Sequence, residues 1–176
     1  MRTLSLGLAL LALPVVAQSG GTFVDISSGS DGPPLDPQVY DIAVAPDGSV
    51  IAAGAMFQGN GSGADDIGRW DGERWTTVGN TPYPFGPSTY WPFGDINTSA
   101  QSVAVAPDGS IYVAGNFDEV DGQPANRIAR WDGNEWSALG DGLAFGFAYS
   151  VAAGPDGAVY AGSQGFGDVQ RWVDEA

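Results

Sequence analysis

Apolar and polar positions alternate in short runs along most of the chain, and the runs recur around the same turn. Three stretches carry a pair of runs rich in Val, Ile and Ala around Pro-Asp-Gly, at residues 39–54, 100–115 and 148–162. Proline presets the backbone at an early turn position, and glycine accepts the positive φ that closes a hairpin. The flanking runs carry little charge, which is typical of strands buried on both faces. Each stretch is therefore predicted to form a β-hairpin.

A second type of hairpin follows the first two copies, with the sequences IGRWDGERWTTVG and IARWDGNEWSALG. The four-residue Asp-Gly-x-x loop is expected to place Trp70 opposite Trp75 and Trp131 opposite Trp136. Cross-strand aromatic pairs of this kind contribute about 0.2–1 kcal/mol each beyond their buried area. A broken third copy, RWVDEA, stands at 171–176.

Each full repeat therefore contains four short antiparallel strands, which is the signature of a β-propeller blade. The repeats span about 39–80, 100–142 and 148–176, and no useful helical periodicity follows the N-terminal segment. The third copy stops before its fourth strand. Residues 22–29 carry the missing pattern, which would put Phe23 opposite Trp172. The predicted fold is all-β, a propeller-like array of three four-stranded antiparallel blades in which the N-terminal strand completes the last blade.

The number of blades leaves the closure of the array open. Propellers usually have at least four blades, whereas this chain encodes three. Three blades could wrap into a tight ring, two chains could pair as a homodimer with six blades, or the gene could be a fragment. The N-terminal strand argues against a fragment, and the sequence does not separate the other two arrangements.

The stretch NFDEVDGQPANRIARWDGNEWSALGDGL resembles the repeat of secreted bacterial kelch-like propellers of the delta-sixty type. These are related in blade pattern to the central domain of galactose oxidase. The resemblance covers nearly all of 18–176 and is clearest at 100–142. It implies a propeller fold with much more force than it implies a function. The copper site of the oxidase cannot be carried over, because the chain has no histidine.

The N-terminal sequence MRTLSLGLALLALPVVAQ has the organisation of a secretory signal peptide. Arg2 precedes an apolar run, and Val15-Val16-Ala17 supplies small residues before a cleavage site. The run is short for a membrane span. We therefore predict a signal peptide at 1–17 and a secreted or periplasmic domain at 18–176, with no membrane insertion.

Composition excludes several function classes. The chain has no cysteine and no histidine, which removes disulfides, Ser-His-Asp and Cys-His sites and the commonest zinc and copper ligand. The net charge of −15 becomes −16 when Arg2 is removed (−15 − 1), and it disfavours nucleic acid and anionic membranes as partners. An acidic chain without lysine has a halophile-like composition, although a GC-rich genome and turn-forming aspartates would give the same bias.

The connection between the first two repeats, residues 80–100, is long and rich in aromatic residues and proline. Rings held out rigidly beside a carboxylate and an amide suit the C–H faces and hydroxyls of a sugar. The alternative, which the length of the loop favours, is that it covers the pore or a blade edge and hides its rings. The candidate ligand-binding residues are Tyr83, Phe85, Tyr90, Trp91, Phe93, Asp95 and Asn97.

Two other sets of polar residues recur between repeats. Arg69, Arg130 and Arg171 each precede a tryptophan and could capture an anionic group, but ion pairing or stacking between neighbouring blades is the favoured explanation. Oxygen-bearing side chains before the Trp hairpins could bind Ca²⁺, but ordinary turn chemistry explains them better. These weak calcium candidates are Asn116, Asp118, Glu119 and Asp121, with Asp65 and Asp66 in the equivalent loop.

The function favoured by these observations is that of a secreted, non-enzymatic β-propeller that binds a partner or serves as a scaffold. The expected partner is a glycan or a protein at the cell exterior, recognised through the 80–100 loop. No cofactor is expected apart from the weakly supported Ca²⁺. The alternatives are a carboxylate-based glycan-active enzyme, a hydrolase or lyase, and a purely structural envelope protein. No spacing of acidic residues singles out a catalytic pair.

Overall fold

The structure is a computed structural model that describes residues 38–58, 64–79, 99–143, 146–164 and 169–172. These residues form β-strands and no helix, so the all-β class is confirmed for them. The predicted N-terminal strand and most of the aromatic loop lie outside these ranges. In the described part of the chain, no helix has the length and hydropathy needed to cross a membrane.

Sheet 1 and sheet 2 each contain four antiparallel strands in chain order. The strands of sheet 1 are β1 (Gln38–Val44), β2 (Val50–Gln58), β3 (Ala64–Trp70) and β4 (Trp75–Thr77). The strands of sheet 2 are β5 (Ser99–Val105), β6 (Ile111–Asn116), β9 (Ile128–Trp131) and β10 (Trp136–Ala138). In both sheets the first hairpin is built on Pro-Asp-Gly and the second on the Trp pair, as the repeat predicts.

Sheet 3 contains three described strands, β11 (Ala148–Ala153), β12 (Val159–Ser163) and β13 (Val169–Trp172). The predicted fourth strand at 22–29, including Phe23, lies outside the described residues. Its pairing with Trp172 therefore stays a prediction.

The segment between β6 and β9, expected to be a loop with ordinary turn chemistry, contains a short hairpin. The hairpin consists of β7 (Glu119–Val120) and β8 (Gln123–Pro124). Asp121 and Gly122 between them have φ values of 47° and 74°. Two successive positive φ values are what a two-residue type I′ turn requires, and Asp-Gly is a preferred sequence for it.

The three Pro-Asp-Gly turns share one geometry. Gly48, Gly109 and Gly157 have φ values of 86°, 87° and 81°. In each turn the glycine N–H donates to the carbonyl three residues earlier, at 2.9, 2.9 and 3.1 Å. The turn aspartate adds a bond of its own, as when Asp47 Oδ1 accepts the N–H of Ser49 at 3.0 Å. Local turn chemistry therefore produces the same hairpin three times.

The Trp hairpins bring each pair of rings together. Trp70 pairs with Trp75 and Trp131 with Trp136, with ring centroids 5.7 and 5.5 Å apart. In both loops the aspartate after the first tryptophan accepts two backbone N–H groups at 2.8–2.9 Å. Trp136 also joins two sheets, because its Nε1 donates to the carbonyl of Val78 at 3.3 Å.

Two apolar cores hold the three sheets in a row. The core between sheets 1 and 2 includes Ile51, Ala53, Ile67, Val78, Val103, Ile111, Val113 and Trp136. The core between sheets 2 and 3 includes Ala104, Tyr112, Ala114, Ile128, Val151, Val159 and Ala161, with Trp172 packed against it. Alternate residues of sheet 2 thus face opposite neighbours, which explains why its inner strands are apolar on both faces.

The first strands of the sheets lie side by side, since β5 contacts both β1 and β11. A β-bulge interrupts each of these strands at the same repeat position. Directly after each bulge comes a polar residue. These residues are Asp41, Ser102 and Ser150. A bulge re-aims the side chains that follow it, and here it recurs where neighbouring first strands meet.

Two of these polar residues join neighbouring sheets through hydrogen bonds. Asp41 Oδ2 accepts the N–H of Val103 at 3.0 Å and the hydroxyl of Ser102 at 2.7 Å. Ser102 Oγ in turn accepts the N–H of Val151 at 3.1 Å. The same junction therefore forms twice, from sheet 1 to sheet 2 and from sheet 2 to sheet 3.

Candidate functional site

Each Pro-Asp-Gly turn carries an ion pair with the repeated arginine of the third strand. The register between the second and third strands explains the pairing. The arginine of the third strand lies opposite a residue near the start of the second strand, which follows the turn directly. The pairs are Arg69 with Asp47, Arg130 with Asp108 at 3.7 Å, and Arg171 with Asp156 at 3.4 Å. Ion pairing is therefore present, but each pair forms within one sheet and not between neighbouring sheets.

Hydrogen bonds inside the turns hold the pKa values of two of these aspartates below their ordinary value. For Asp47 the largest cause is the hydroxyl of Ser49, followed by the Ser49 N–H, with Arg69 contributing less. For Asp108 the largest cause is the N–H of Ser110. Both carboxyl groups are consequently ionised at neutral pH, and each faces its arginine as a full negative charge.

The turns line two clefts, one at each junction between neighbouring sheets. The first cleft, between sheets 1 and 2, has a volume of about 250 Å³ and contains the Arg69–Asp47 pair. The second cleft, between sheets 2 and 3, has a volume of about 470 Å³. Its lining includes both remaining ion pairs and two aromatic side chains, namely Asp108, Arg130, Asp156, Arg171, Tyr112 and Trp172.

The second cleft combines balanced charge with aromatic surface. Its two arginines and two aspartates sum to zero formal charge, although the whole chain carries −15. The guanidinium of Arg171 also lies 5.9 Å from the ring centroid of Tyr160, which holds it against the sheet. Fixed donors and acceptors beside a half-buried Trp172 suit an uncharged polar ligand with one apolar face. A multiply charged anion would meet two carboxylates there.

The predicted aromatic site falls outside the described residues. The structure gives no geometry for this set, so its role stays a prediction. The residues are Tyr83, Phe85, Tyr90, Trp91, Phe93, Asp95 and Asn97.

The structure places the weak calcium candidates of the second repeat in three different settings. Asn116 ends β6 with a buried side chain that has no hydrogen-bond partner in the described part of the chain, whereas Asp118 pairs with Arg127 at 3.3 Å. Asp121 is exposed in the turn of the β7–β8 hairpin. No cluster of three acidic side chains able to hold a metal occurs in the described part of the chain.

The other acidic pair considered for calcium is placed differently from its prediction. Asp65 and Asp66 were expected in the loop equivalent to residues 116–121. They belong instead to strand β3. Strand β2 extends to Gln58, so its partner β3 begins earlier than the second repeat suggests.

Sequence reasoning missed Arg127, which organises the connection between β8 and β9. Its side chain is buried, pairs with Asp118 and donates to the carbonyl of Leu143 at 3.5 Å. Its φ is 72°, an unusual value for a long side chain. Arg127 does not precede a tryptophan as the repeated arginines do, and no sequence signal predicts that its side chain is buried. The repeated polar residues after the bulges were also missed, but aligning the three repeats would have found them.

Comparison with known families supports a β-propeller repeat in this chain. A family profile described as a β-propeller domain of unknown function (DUF5122) matches residues 106–134. The matched stretch runs from the second Pro-Asp-Gly turn to the second Trp loop, so it covers the two inner strands of sheet 2, β6 and β9, and the short hairpin between them. The chain has no match among curated proteins. The likeness is therefore to a repeat, and it carries no assigned activity.

Proposed function

We propose that the protein is an exported, non-catalytic β-propeller that binds an uncharged glycan in the second cleft. The observation that carries the proposal is the pairing of Arg130–Asp108 and Arg171–Asp156 around one cleft with aromatic walls. Guanidinium and carboxylate groups offer donors and acceptors to hydroxyls, and a ring offers a face to sugar C–H groups. The propeller would serve as the rigid support for this surface.

Three finer features belong to the same proposal. Residues 1–17 act as a signal peptide that directs the chain out of the cytoplasm. The repeats are kelch-like blades, three in each chain, and the strand at 22–29 completes the third blade. The aromatic segment 80–100 provides a second surface for a glycan or for a protein at the cell exterior.

The pKa directions of four turn aspartates argue against these residues as the general acid of glycoside cleavage. A general acid for glycosidic bonds needs a carboxyl group whose pKa is raised. In the ion-paired turns, the pKa values of Asp47 and Asp108 are lowered. The Trp loops give the same result, because two backbone N–H groups lower the pKa values of Asp71 and Asp132. These four carboxylates are suited to accepting hydrogen bonds and not to donating a proton.

A glycan array with the mature chain, 18–176, tests the proposal. Replacing both cleft arginines, Arg130→Gln with Arg171→Gln, should abolish binding of the uncharged glycans that the second cleft captures, and any glycan held by the 80–100 segment should stay bound. Arg69→Gln is the matched control, since it breaks the equivalent ion pair at the first cleft and leaves the second intact. Equal binding by both variants and the wild type would exclude the second cleft.

Two further measurements distinguish binding in the second cleft from binding at the 80–100 segment and from hydrolysis by an enzyme. Loss of binding in a variant carrying Tyr90→Ala and Trp91→Ala, with the double-arginine variant unaffected, would move the site to the 80–100 segment. Hydrolysis of a polysaccharide panel that disappears on a single Asp→Asn substitution would replace the binding proposal with an enzyme. A wild-type chain that binds no glycan would contradict the ligand class.

A further inference from the structure

The two end sheets carry all the exposed large apolar side chains of the described residues. Four lie in β1, one in β11 and one in β13, and sheet 2 has none. They are Val39, Tyr40, Ile42, Val44, Tyr149 and Val169. Exposed apolar surface concentrated at two ends of an array marks surface that another molecule can cover.

The exposed face of sheet 1 corresponds to a face that is buried in sheet 2. Ile42 and Val44 occupy the repeat positions of Val103 and Val105. Val103 is 4% exposed and packs with Val105 against sheet 1. Ile42 and Val44 are 61% and 68% exposed. Along β1, sheet 1 thus presents, uncovered, part of the surface by which sheet 2 docks on its predecessor. Ala52 and Trp75, which hold the repeat positions of Val113 and Trp136 on the same face, are already buried.

The exposed face of sheet 3 is the opposite half of the same junction. Val169 and Ala152 occupy the repeat positions of Ile128 and Ala104, which sheet 3 covers. Ile128 is 3% exposed and Ala104 is 8% exposed, whereas Val169 is 76% exposed and Ala152 is also exposed. Sheet 3 thus presents, uncovered, the surface on which the next sheet would dock.

From this correspondence we propose that a second copy of the chain docks head to tail on the first. Sheet 1 of each copy covers sheet 3 of the other, which makes two identical junctions and a closed ring of six sheets. Each junction repeats the packing already present between sheets 1 and 2 and between sheets 2 and 3. A head-to-tail contact that closes after two copies has the two-fold symmetry commonest among oligomers.

The polar residues that follow the bulges, Asp41, Ser102 and Ser150, extend the correspondence between junctions to hydrogen bonds. At the two internal junctions, Asp41 and Ser102 accept the N–H of Val103 and of Val151. Ser150 is the third residue of this series, and its side chain is exposed at the free end of the array. The matching donor at the other end is the N–H of Ile42. Within one copy this N–H donates to the adjacent Asp41 Oδ1 at 2.9 Å. In the docked pair it could donate instead to the Ser150 Oγ of the other copy.

A second copy suits these faces better than other occupants. The missing sheet would carry a Pro-Asp-Gly hairpin, and a second copy supplies three of them. Anionic membranes are repelled by a chain of net charge −15. Another copy brings both complementary faces in the same register.

The mass of the mature wild-type chain in solution is the primary test. Sedimentation equilibrium and native mass spectrometry should give twice the chain mass at micromolar concentration, with tighter association as NaCl screens the charge. A monomer up to high micromolar concentration at elevated salt would overturn the proposal. A ladder of larger species would show an open filament, which would overturn the closed ring.

Disulfide trapping locates the junction, since the chain has no cysteine of its own. Ile42→Cys with Ser150→Cys should give a dimer on a non-reducing gel, because equivalent positions at the internal junctions touch through a hydrogen bond. Each single variant should stay uncrosslinked, and a dimer from Ile42→Cys alone would mean that the two β1 strands meet. A crosslink within one chain would mean that three blades close alone, which would overturn the two-chain ring while leaving the propeller intact.

Charged substitutions distinguish head-to-tail docking from symmetric contacts. Val44→Glu on sheet 1 and Ala152→Glu on sheet 3 should each lower the fraction of dimer at least tenfold. Thr76→Glu, which adds the same charge at an exposed position of β4, is the control and should leave the dimer unchanged. If only one of the two face variants dissociates the dimer, the faces do not meet each other. These measurements involve no ligand, so their failure would leave the glycan proposal untouched.

Discussion

The contact between Gly79 and Trp136 offers a direct test of how sheets 1 and 2 are held together. A Cβ at Gly79 would lie 2.6 Å from Trp136 Nε1 and 3.2 Å from its Cδ1. That nitrogen donates the 3.3 Å bond to Val78, so the ring cannot retreat without losing the bond. Gly79 also has a φ of 116°, which an alanine adopts only with strain. Gly79→Ala therefore combines backbone strain with overpacking.

The size of the effect follows from these two contributions. A residue held at such a φ costs about 1–3 kcal/mol, and overpacking a filled site costs about 1–3 kcal/mol more. The expected loss in the free energy of unfolding is therefore about 2–6 kcal/mol. Gly72→Ala is the matched control, because Gly72 has a φ of 107° and a Cβ added there would have no heavy atom within 4 Å. Gly72→Ala should lose only the part of the unfolding free energy that is due to backbone strain.

Urea unfolding followed by tryptophan fluorescence measures both variants, at one protein concentration so that association does not differ between samples. The difference between them isolates the contact with Trp136, and we expect it to be about 1–3 kcal/mol. An equal loss in both variants would refute the reasoning, since it would mean that the indole accommodates a methyl group at no cost.

Three other results should follow from the structure. Asp108 has a lower pKa in the folded chain than in the unfolded one, so its contribution to stability is present above about pH 4 and is lost as the pH falls through the folded-state pKa. Asp108→Asn should therefore flatten the loss of stability below about pH 4 in acid titrations, and an unchanged profile would contradict this. Gly142→Ala would place a Cβ 2.4 Å from the Asn126 Cβ, with a φ of 74°, and should lower the thermal midpoint far more than Gly72→Ala does. With a net charge of −15, the chain should unfold at higher urea as NaCl rises, and a midpoint independent of NaCl would count against a halophile-like adaptation.

The hairpins illustrate what local sequence can predict. Pro-Asp-Gly produces the same hydrogen bonds and nearly the same glycine φ at Gly48, Gly109 and Gly157, because a turn depends on a few adjacent residues. The Trp loops follow from equally local rules. The β7–β8 hairpin was missed although Asp121-Gly122 is a type I′ signal, because the strands beside it are only two residues long.

The candidate site was predicted less well, because it depends on residues that are distant in sequence. The repeated arginines were recognised, but their partners are set by the register between the second and third strands. The second cleft needs Asp108 and Asp156 from different repeats, which only the packing of sheet 2 on sheet 3 brings together. The sequence also proposed a site at residues 80–100, from aromatic rings held by prolines beside Asp95 and Asn97; most of that segment lies outside the described residues, so this stays a prediction.

By itself, the sequence determined that the chain is a repeat of antiparallel hairpins, acidic, without cysteine or histidine, and so dependent on apolar packing. Those properties follow from residue type and from contacts between near neighbours. The tertiary structure decided which face each strand buries, where the ion pairs meet, and which apolar surface is left at the ends of the array. Val103 and Ile42 show the reason, because they hold equivalent repeat positions and only a neighbouring sheet makes one buried and leaves the other exposed.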